Sequence, residues 1–191
     1  QKLMPLIHLP VQSGSDKVLN LMNRKHIVKD YLMIYEKLKK INPLIEFSSD
    51  FIIAYPGEDE KDHQNTLELI KNIKFINSYS FIFSPRPGTT ASNLELIDRK
   101  TSLKRLEVVQ NELFKNQIEM NKSLENKEIN VLVENKSNKI SKLFGKSEHM
   151  TSVIFDGNDE DIGKIVKVRI KDSNRNTLFG ESVEKSRLRV A

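Results

Sequence analysis

The chain has 191 residues with no cysteine and no tryptophan, and its 31 basic and 26 acidic side chains give a net charge of +5. Without cysteine, these residues cannot form a disulfide framework, a thiolate zinc site, a cysteine nucleophile or a thiolate-bound iron–sulfur cluster. The longest apolar stretches are about five residues, whereas a membrane-spanning helix needs roughly 18, so we expect no membrane segment.

The first strand–helix unit begins with the apolar run from Leu3 to Leu9, which predicts a buried strand. A polar turn follows at Gln12–Ser15, and Ser15 or Asp16 can then cap a helix. Apolar positions at helical spacing predict a further helix from about Val28 to Lys40, ended by Pro43.

Two more units follow in the same order. The second strand is predicted from Ile45 to Tyr55, ahead of Pro56-Gly57, and Asp59 can cap the next helix. The third strand runs from about Tyr79 to Phe83. On the helix after Asp59 the expected buried positions are Thr66, Leu67, Ile70 and Ile73.

Alternating strands and helices imply an α/β fold with a parallel sheet. Such sheets carry their chemistry in the loops that follow the strands. In this chain those loops are Pro10–Ser15, Tyr55–Glu58 and Ser84–Thr89.

A connecting helix is predicted from about Thr101 to Leu124, with one apolar stripe and no chemistry of its own. Beyond it, short segments alternate apolar and polar residues between turns, which indicates a small antiparallel barrel of about five strands, similar to an OB fold. We therefore predict two domains, residues 1–125 and 126–191.

One strand of this barrel has an apolar face formed by Val166, Val168 and Ile170 and a cationic face formed by Lys167, Arg169 and Lys171. Side chains two apart on a strand lie about 6.5 Å from one another, close to the phosphate spacing of a nucleic-acid strand. A solvated edge is the alternative, since residues 127–191 hold 13 basic and 10 acidic side chains. Phe144 and Phe155 are candidate base-stacking residues, unless they belong to the core.

Four segments together resemble the second half of the radical S-adenosylmethionine (SAM) methylthiotransferases. They are residues 8–16 (HLPVQSGSD), 22–25 (MNRK), 48–58 (SSDFIIAYPGE) and 79–89 (YSFIFSPRPGT). The barrel is similar to the TRAM domain that ends these enzymes, with Gly145-Lys146-Ser147 where the family typically has Gly-Arg-Thr. The resemblance covers about residues 3 to 182 and is greatest to bacterial members acting on isopentenylated adenosine in tRNA.

The resemblance implies a fold: the C-terminal half of a partial (β/α)6 radical SAM barrel, similar to a TIM barrel, followed by a TRAM barrel. It implies an enzyme that transfers sulfur and a methyl group to C2 of N6-isopentenyladenosine at position 37, beside the anticodon. SAM and [4Fe-4S] clusters are the implied cofactors, tRNA is the implied partner, and the implied location is the cytoplasm.

The same resemblance implies binding residues. For SAM they are Gln12, Ser13, Arg24, Asp50 and Gly57. For tRNA they are Arg86 and Lys146, to which the cationic strand face adds Lys167, Arg169 and Lys171. His8 is interpreted as a hydrogen-bonded barrel residue. Ala54 stands where the family usually has glycine and would crowd a ligand if its φ were positive.

The family's Cys-x-x-x-Cys-x-x-Cys cluster motif is absent from this chain. We therefore expect a fragment, or the product of a split or decaying gene whose N-terminal half is a separate partner, and we expect these residues alone to bind no iron. Two other functions stay open: a non-catalytic RNA-binding module, and a methylthiotransferase acting on threonylcarbamoyladenosine.

Overall fold

A computed structural model describes residues 4–137 and 142–183 of the chain. The described residues divide into two compact units: residues 7–116 form one, and residues 4–6, 117–137 and 142–183 form the other. Helix α4 (Arg99–Ser123) contributes residues to both units. Within the described ranges, no helix has both the length and the apolar character that crossing a bilayer requires.

The first unit alternates short strands with helices, as the sequence predicts. Its strands are β1 (Leu6–His8), β2 (Glu46–Ser48), β3 (Asp50–Ile53) and β4 (Tyr79–Ile82). Its helices besides the start of α4 are α1 (Asp16–Leu21), α2 (Val28–Ile41), α3 (Glu60–Ile73) and a 3₁₀ turn (Thr90–Asn93). The prediction of a buried strand from Leu3 to Leu9 is wrong in length and burial: β1 has three residues, two half-buried and one exposed, and Leu3 lies outside the described residues.

The strands of this unit form two two-stranded sheets. Strand β1 pairs with β2, and β3 pairs in parallel with β4. The chain just after β1 is connected to β3, because Gln12 forms a parallel bridge with Phe51. The predicted parallel sheet is thereby confirmed.

The prediction of a single second strand from Ile45 to Tyr55 is wrong, since the segment forms β2 and β3 with a break at Ser49. Side-chain hydroxyls replace the backbone ladder at this point. The Ser49 Oγ accepts a hydrogen bond from the Val11 N–H at 2.9 Å, and the Ser49 N–H donates to the Ser78 Oγ at 2.9 Å. Local side-chain bonds of this kind compete with sheet pairing.

Both predicted helix caps are confirmed. Ser15 precedes α1 and accepts from the Val18 N–H, and Asp59 precedes α3 and accepts from the Asp62 N–H at 3.0 Å. The predicted buried face of α3 is also confirmed: Thr66, Leu67, Ile70 and Ile73 are all buried.

The core of this unit lies on one face of the sheet. Phe47, Phe51 and Ile53 are buried there among residues of α2, α3 and α4. On the opposite face of β4, Tyr79 and Phe81 are exposed. This uncovered face is where a ligand can approach the strands.

The second unit contains a closed five-stranded barrel in the order β5-β6-β7-β9-β8, which confirms the predicted architecture. The strands are β5 (Glu128–Lys136), β6 (Lys142–Ser147), β7 (Ser152–Asp156), β8 (Ile165–Ser173) and β9 (Thr177–Ser182). Four strand pairs are antiparallel, and the pair β7–β9 is parallel. The alternating apolar residues, Val131, Val153 and Val168 among them, fill the interior.

Candidate functional site

Gln12 is held rigidly beside β3 while its side-chain amide is left without a protein partner. Its N–H donates to the Asp50 carbonyl at 3.0 Å, and its carbonyl accepts from the Ile52 N–H at 3.0 Å. Its φ is 73°, in the left-handed region that non-glycine residues rarely occupy. The residue is only 8% exposed, and no described residue hydrogen bonds its amide. The amide can donate and accept hydrogen bonds, so it is available to a ligand.

Ser13 and Gly14 face α3 instead. The buried Ser13 Oγ accepts from the Ser15 N–H at 3.1 Å and lies 3.4 Å from the Thr66 Oγ1. The Gly14 N–H donates to the same Thr66 oxygen at 2.9 Å. The Ser13 hydroxyl therefore turns the loop and fastens it to α3, and its contact with a ligand stays a prediction.

The side chains of His8 on β1 and Asp50 on β3 lie close together. The Asp50 carboxylate is 3.4 Å from His8 Nε2, and His8 Nδ1 is 2.9 Å from the Ser48 Oγ. The interpretation of His8 as a hydrogen-bonded residue is confirmed. Because about one third of the Asp50 side chain is exposed, its carboxylate can still accept hydrogen bonds from a ligand.

The turn after β3 has an unusual backbone. Ala54 has a φ of 57° and Gly57 a φ of 86°, so the suspected positive φ at Ala54 is confirmed. The Ala54 N–H donates to the Glu58 carboxylate at 3.2 Å, which fixes the turn from within. Pro56, Gly57 and Glu58 line one side of an open cleft of about 550 Å³, and residues 94–97 line the other.

A buried ion pair supports this turn, and the sequence interpretation missed it. Arg105 of α4 donates to the carboxylate of Glu58 at 3.0 Å and to its carbonyl at 3.0 Å. Burial raises the pKa of Glu58 to about 6, although the Arg105 charge opposes the shift. Burial, followed by the Arg105 charge, lowers the pKa of the nearby His63.

A sequence signal for this pair existed. Arg105 falls on the same helical stripe as the buried Ser102, Val109 and Leu113, at spacings of three and four residues. A charged residue on a buried stripe requires a partner of opposite charge.

Arg24 and Arg86 are exposed in loops, after α1 and after β4 respectively. The Arg86 carbonyl accepts from the Thr89 hydroxyl at 2.8 Å, which closes the proline-rich turn. Among the described residues, neither guanidinium contacts Gln12 or Asp50, so both assignments stay predictions.

The predicted cationic face of β8 exists, but acidic neighbours occupy most of it. Lys167, Arg169 and Lys171 are exposed on the outside of the barrel, as the alternation predicts. Arg169 pairs with Glu128 at 2.6 Å and Lys171 with Glu181 at 3.0 Å. Lys167 has no carboxylate within 4 Å among residues 4–137 and 142–183.

On β6, Lys146 and Phe144 point outward together. The Lys146 Nζ donates to the Ser152 Oγ at 3.0 Å and lies 5.5 Å from the centre of the Phe144 ring. Phe155 is fully buried in the barrel, so its alternative assignment to the core is correct and it cannot stack on a base. Phe144 is the one of the two phenylalanines that a base can reach.

Two segments of the chain match models of known protein families. Residues 2–70 match the model of the Radical SAM superfamily, and residues 122–183 match the TRAM domain. The chain carries a radical SAM segment and a TRAM domain. The resemblance inferred from the motifs is thereby confirmed, as is the fold class of a partial radical SAM barrel followed by a TRAM barrel.

Similar proteins carry one name. The chain is 67% identical over 190 residues to the tRNA-2-methylthio-N(6)-dimethylallyladenosine synthase of Pelagibacter ubique, covering 100% of this chain and 43% of that protein. It is 46% identical to the Wolbachia pipientis (Culex pipiens) enzyme of that name, over 94% of this chain and 41% of the relative. It is 39% identical to the Zymomonas mobilis enzyme of that name, over 100% of this chain and 43% of the relative. The radical SAM–TRAM chain thus spans about two fifths of these relatives' length.

Proposed function

We propose that this chain is part of a tRNA methylthiotransferase that adds a methylthio group to C2 of N6-dimethylallyladenosine. The observation that carries the proposal is the 67% identity across the whole chain to a synthase of that name. The order of a radical SAM segment and a TRAM domain supports it. Since tRNA is the proposed substrate, we expect the enzyme to work in the cytoplasm.

C2 of adenine is neither acidic nor electrophilic enough for acid–base chemistry, so a cofactor must supply the reactive species. SAM bound at a radical SAM site supplies the radical that activates the carbon–hydrogen bond. The residues of this chain do not fit an iron–sulfur cluster, because there is no cysteine in the sequence. No group of three or more metal-binding side chains occurs within the described residues either.

Two features of the first unit fit SAM. Gln12 is 8% exposed and lies beside the Asp50 backbone, and its amide has no hydrogen bond among the described residues, so it can donate and accept hydrogen bonds with a polar ligand. The Ala54–Gly57 turn follows β3 and is held by the Glu58–Arg105 pair. At Gly57 the backbone has no side chain, so a ligand can approach it closely. These residues orient the ligand before any reaction occurs.

The proposed tRNA contacts lie on the barrel and on the loop after β4. Lys146 and Lys167 are outward cations without a carboxylate partner in the part of the chain that the structure describes. Arg86 is exposed in the proline-rich loop. Lysine and arginine contacts to phosphate position an RNA without reading its sequence.

The function is tested by comparing modified nucleosides in tRNA from cells with and without the gene, using liquid chromatography and mass spectrometry. Loss of the gene should remove 2-methylthio-N6-dimethylallyladenosine and leave its unthiolated precursor. If the methylthio derivative of threonylcarbamoyladenosine disappears instead, the enzyme class is right and the substrate is wrong. Unchanged nucleosides would exclude the methylthiotransferase.

The assignment of Gln12 is tested by equilibrium dialysis of SAM against the chain. Gln12→Met keeps the side-chain length and removes the amide, so we expect clearly weaker SAM binding. Gln64→Met, on the exposed side of α3, is the matched control and should bind like the wild type. Equal affinities in all three proteins would rule out a role for the Gln12 amide.

The expectation that these residues alone bind no iron stays a prediction. Reconstitution with iron and sulfide, followed by iron analysis, checks it. A stoichiometric cluster on this chain would contradict it.

A further inference from the structure

Two aromatic side chains of β4 project from the uncovered face of the sheet. Tyr79 is 61% exposed and Phe81 is 57% exposed. They lie two residues apart on one strand, so they point to the same side. The face of the sheet that packs on the helices is the opposite one, where Phe51 and Ile53 are buried.

The two exposed rings lie nearly parallel to each other, and we call the pair the aromatic platform. Their planes differ by only 11°, and their centres are 6.5 Å apart. Parallel sheets are normally covered on both faces, and these two aromatic rings are open to contact within the part of the chain that the structure describes. A flat apolar molecule gains free energy by stacking on an exposed aromatic ring.

The neighbouring strand gives the platform a polar end and an apolar end. The register of the β3–β4 pair places Asp50 beside Tyr79 and Ile52 beside Phe81. A negative charge therefore adjoins one ring and an aliphatic side chain adjoins the other. A ligand that matches this pattern is aromatic, has a neutral apolar substituent and carries no negative charge near Asp50.

We propose that the aromatic platform holds the substrate nucleoside, with the purine stacked on the rings and the dimethylallyl group against Phe81 and Ile52. This inference rests on the proposed function and adds a reason for substrate choice. The dimethylallyl group is apolar and neutral, whereas the threonylcarbamoyl group carries a carboxylate. Both groups are attached to N6 of the purine, so in the same pose the threonylcarbamoyl carboxylate would lie against Phe81 and Ile52. An unpaired charge is unfavourable against apolar side chains, so the platform selects the dimethylallyl substrate.

The test uses the whole chain and three anticodon stem-loop RNAs that differ only in carrying adenosine, N6-dimethylallyladenosine or N6-threonylcarbamoyladenosine. Dissociation constants are measured by fluorescence anisotropy, and the ratio between two RNAs is the readout. Contacts from the barrel are the same for all three RNAs and cancel in this ratio. We expect the wild type to prefer the dimethylallyl RNA over the adenosine RNA and to show no preference for the threonylcarbamoyl RNA.

Phe81→Ala should reduce the preference for the dimethylallyl RNA about ten-fold, the size of a typical stacking contribution. Tyr79→Phe keeps the ring and should keep the preference. The control is Ile41→Ala at the end of α2, an apolar residue that is 79% exposed, and it should change no ratio.

Several outcomes would overturn the inference. They are equal binding of the three RNAs by the wild type, no measurable binding of the dimethylallyl RNA, and an unchanged ratio in Phe81→Ala. A dimer that Phe81→Ala dissolves in analytical ultracentrifugation would show that a second copy covers the platform, and would overturn it too. The nucleoside comparison is independent: if cells without the gene lose the methylthio nucleoside while Phe81→Ala keeps its ratio, the proposed function stands and only the platform fails.

Discussion

Gly14 lies where the loop after β1 passes closest to α3. A Cβ atom at this position would be 2.6 Å from the Asn65 carbonyl oxygen and 2.6 Å from the Thr66 Cα. Both atoms belong to the helix backbone and cannot move aside as a flexible side chain could. The glycine thus allows the close approach that places Gln12 beside β3.

Gly14→Ala should therefore destabilise the protein by about 1–3 kcal/mol, the usual cost of overpacking. Urea unfolding followed by tyrosine fluorescence measures it, because all four tyrosines lie in residues 7–116. Gly88→Ala is the comparison: its φ is 82° but nothing lies within 4 Å, so only the backbone cost of about 1 kcal/mol applies. A Gly14→Ala variant no less stable than Gly88→Ala would contradict the close-packing argument.

At the scale of secondary-structure elements, the Glu58–Arg105 pair connects the turn after β3 with α4. The pair is almost fully buried, with 2% of the Glu58 and 10% of the Arg105 side chain exposed. The Glu58 carboxylate also holds the Ala54 N–H, so one side chain ties a helix to a backbone turn. This connection makes the turn's geometry dependent on the charge state of Glu58.

Because the pKa of Glu58 is raised, its contribution to the stability of the fold should fall as the pH rises. Burial raises this pKa from its ordinary 4.5 to about 6, so the folded state binds the proton more tightly than the unfolded state does. The contribution of Glu58 to the free energy of unfolding is therefore fully present below pH 4.5 and declines as the pH rises through about 6. Relative to Glu58→Gln, which does not titrate, the wild type should lose up to about 2 kcal/mol across this window.

Urea unfolding at pH values on both sides of the window measures this difference. Glu60→Gln is the control, since Glu60 lies 3.5 Å from Arg105 but its side chain is 70% exposed. The pKa of Glu60 is lowered, chiefly by a hydrogen bond from Gln64, so the wild type should show no such decline relative to this variant. A constant difference between wild type and Glu58→Gln would show that the Glu58 pKa is not raised.

Local patterns predicted the elements because they depend on neighbouring residues. The caps at Ser15 and Asp59, the buried stripe of α3 and the alternation in the barrel each follow from spacing within one element. The Ser49 break and the Glu58–Arg105 pair did not follow, because each depends on a partner far away in the chain. Arg105 is 47 residues from Glu58, and Ser49 is bonded by residues of two other segments.

The candidate site shows the same limit. Gln12 and Asp50 were predicted from the motifs, and the structure places them on adjoining segments. Ser13 was predicted beside them, but its hydroxyl turns to α3 because Thr66 offers a partner. Motif spacing indicates which loop carries a site, whereas the direction of each side chain depends on the packing around it.

For the molecule as a whole, charge pairing decides how strongly the barrel can attract RNA. The chain has a net charge of +5, but much of the β8 cationic face is paired with Glu128 and Glu181. A paired cation must give up its carboxylate before it can bind a phosphate. Lys167, whose side chain has no acidic partner among the described residues, can bind a phosphate without that cost.

This difference predicts unequal effects of two matched substitutions on tRNA binding by the whole chain. Affinity should fall as salt rises, because bound phosphates release counterions. Lys167→Ala should reduce the slope of log K against log salt by about 0.7, the value for one phosphate contact on a single strand. Lys171→Ala removes the same charge from the same strand, yet should reduce the slope less, since Lys171 is held by Glu181 at 3.0 Å. Equal reductions would mean that the Lys171–Glu181 ion pair opens freely and that the β8 cations act as one row. An affinity that does not depend on salt would exclude phosphate contacts by the barrel.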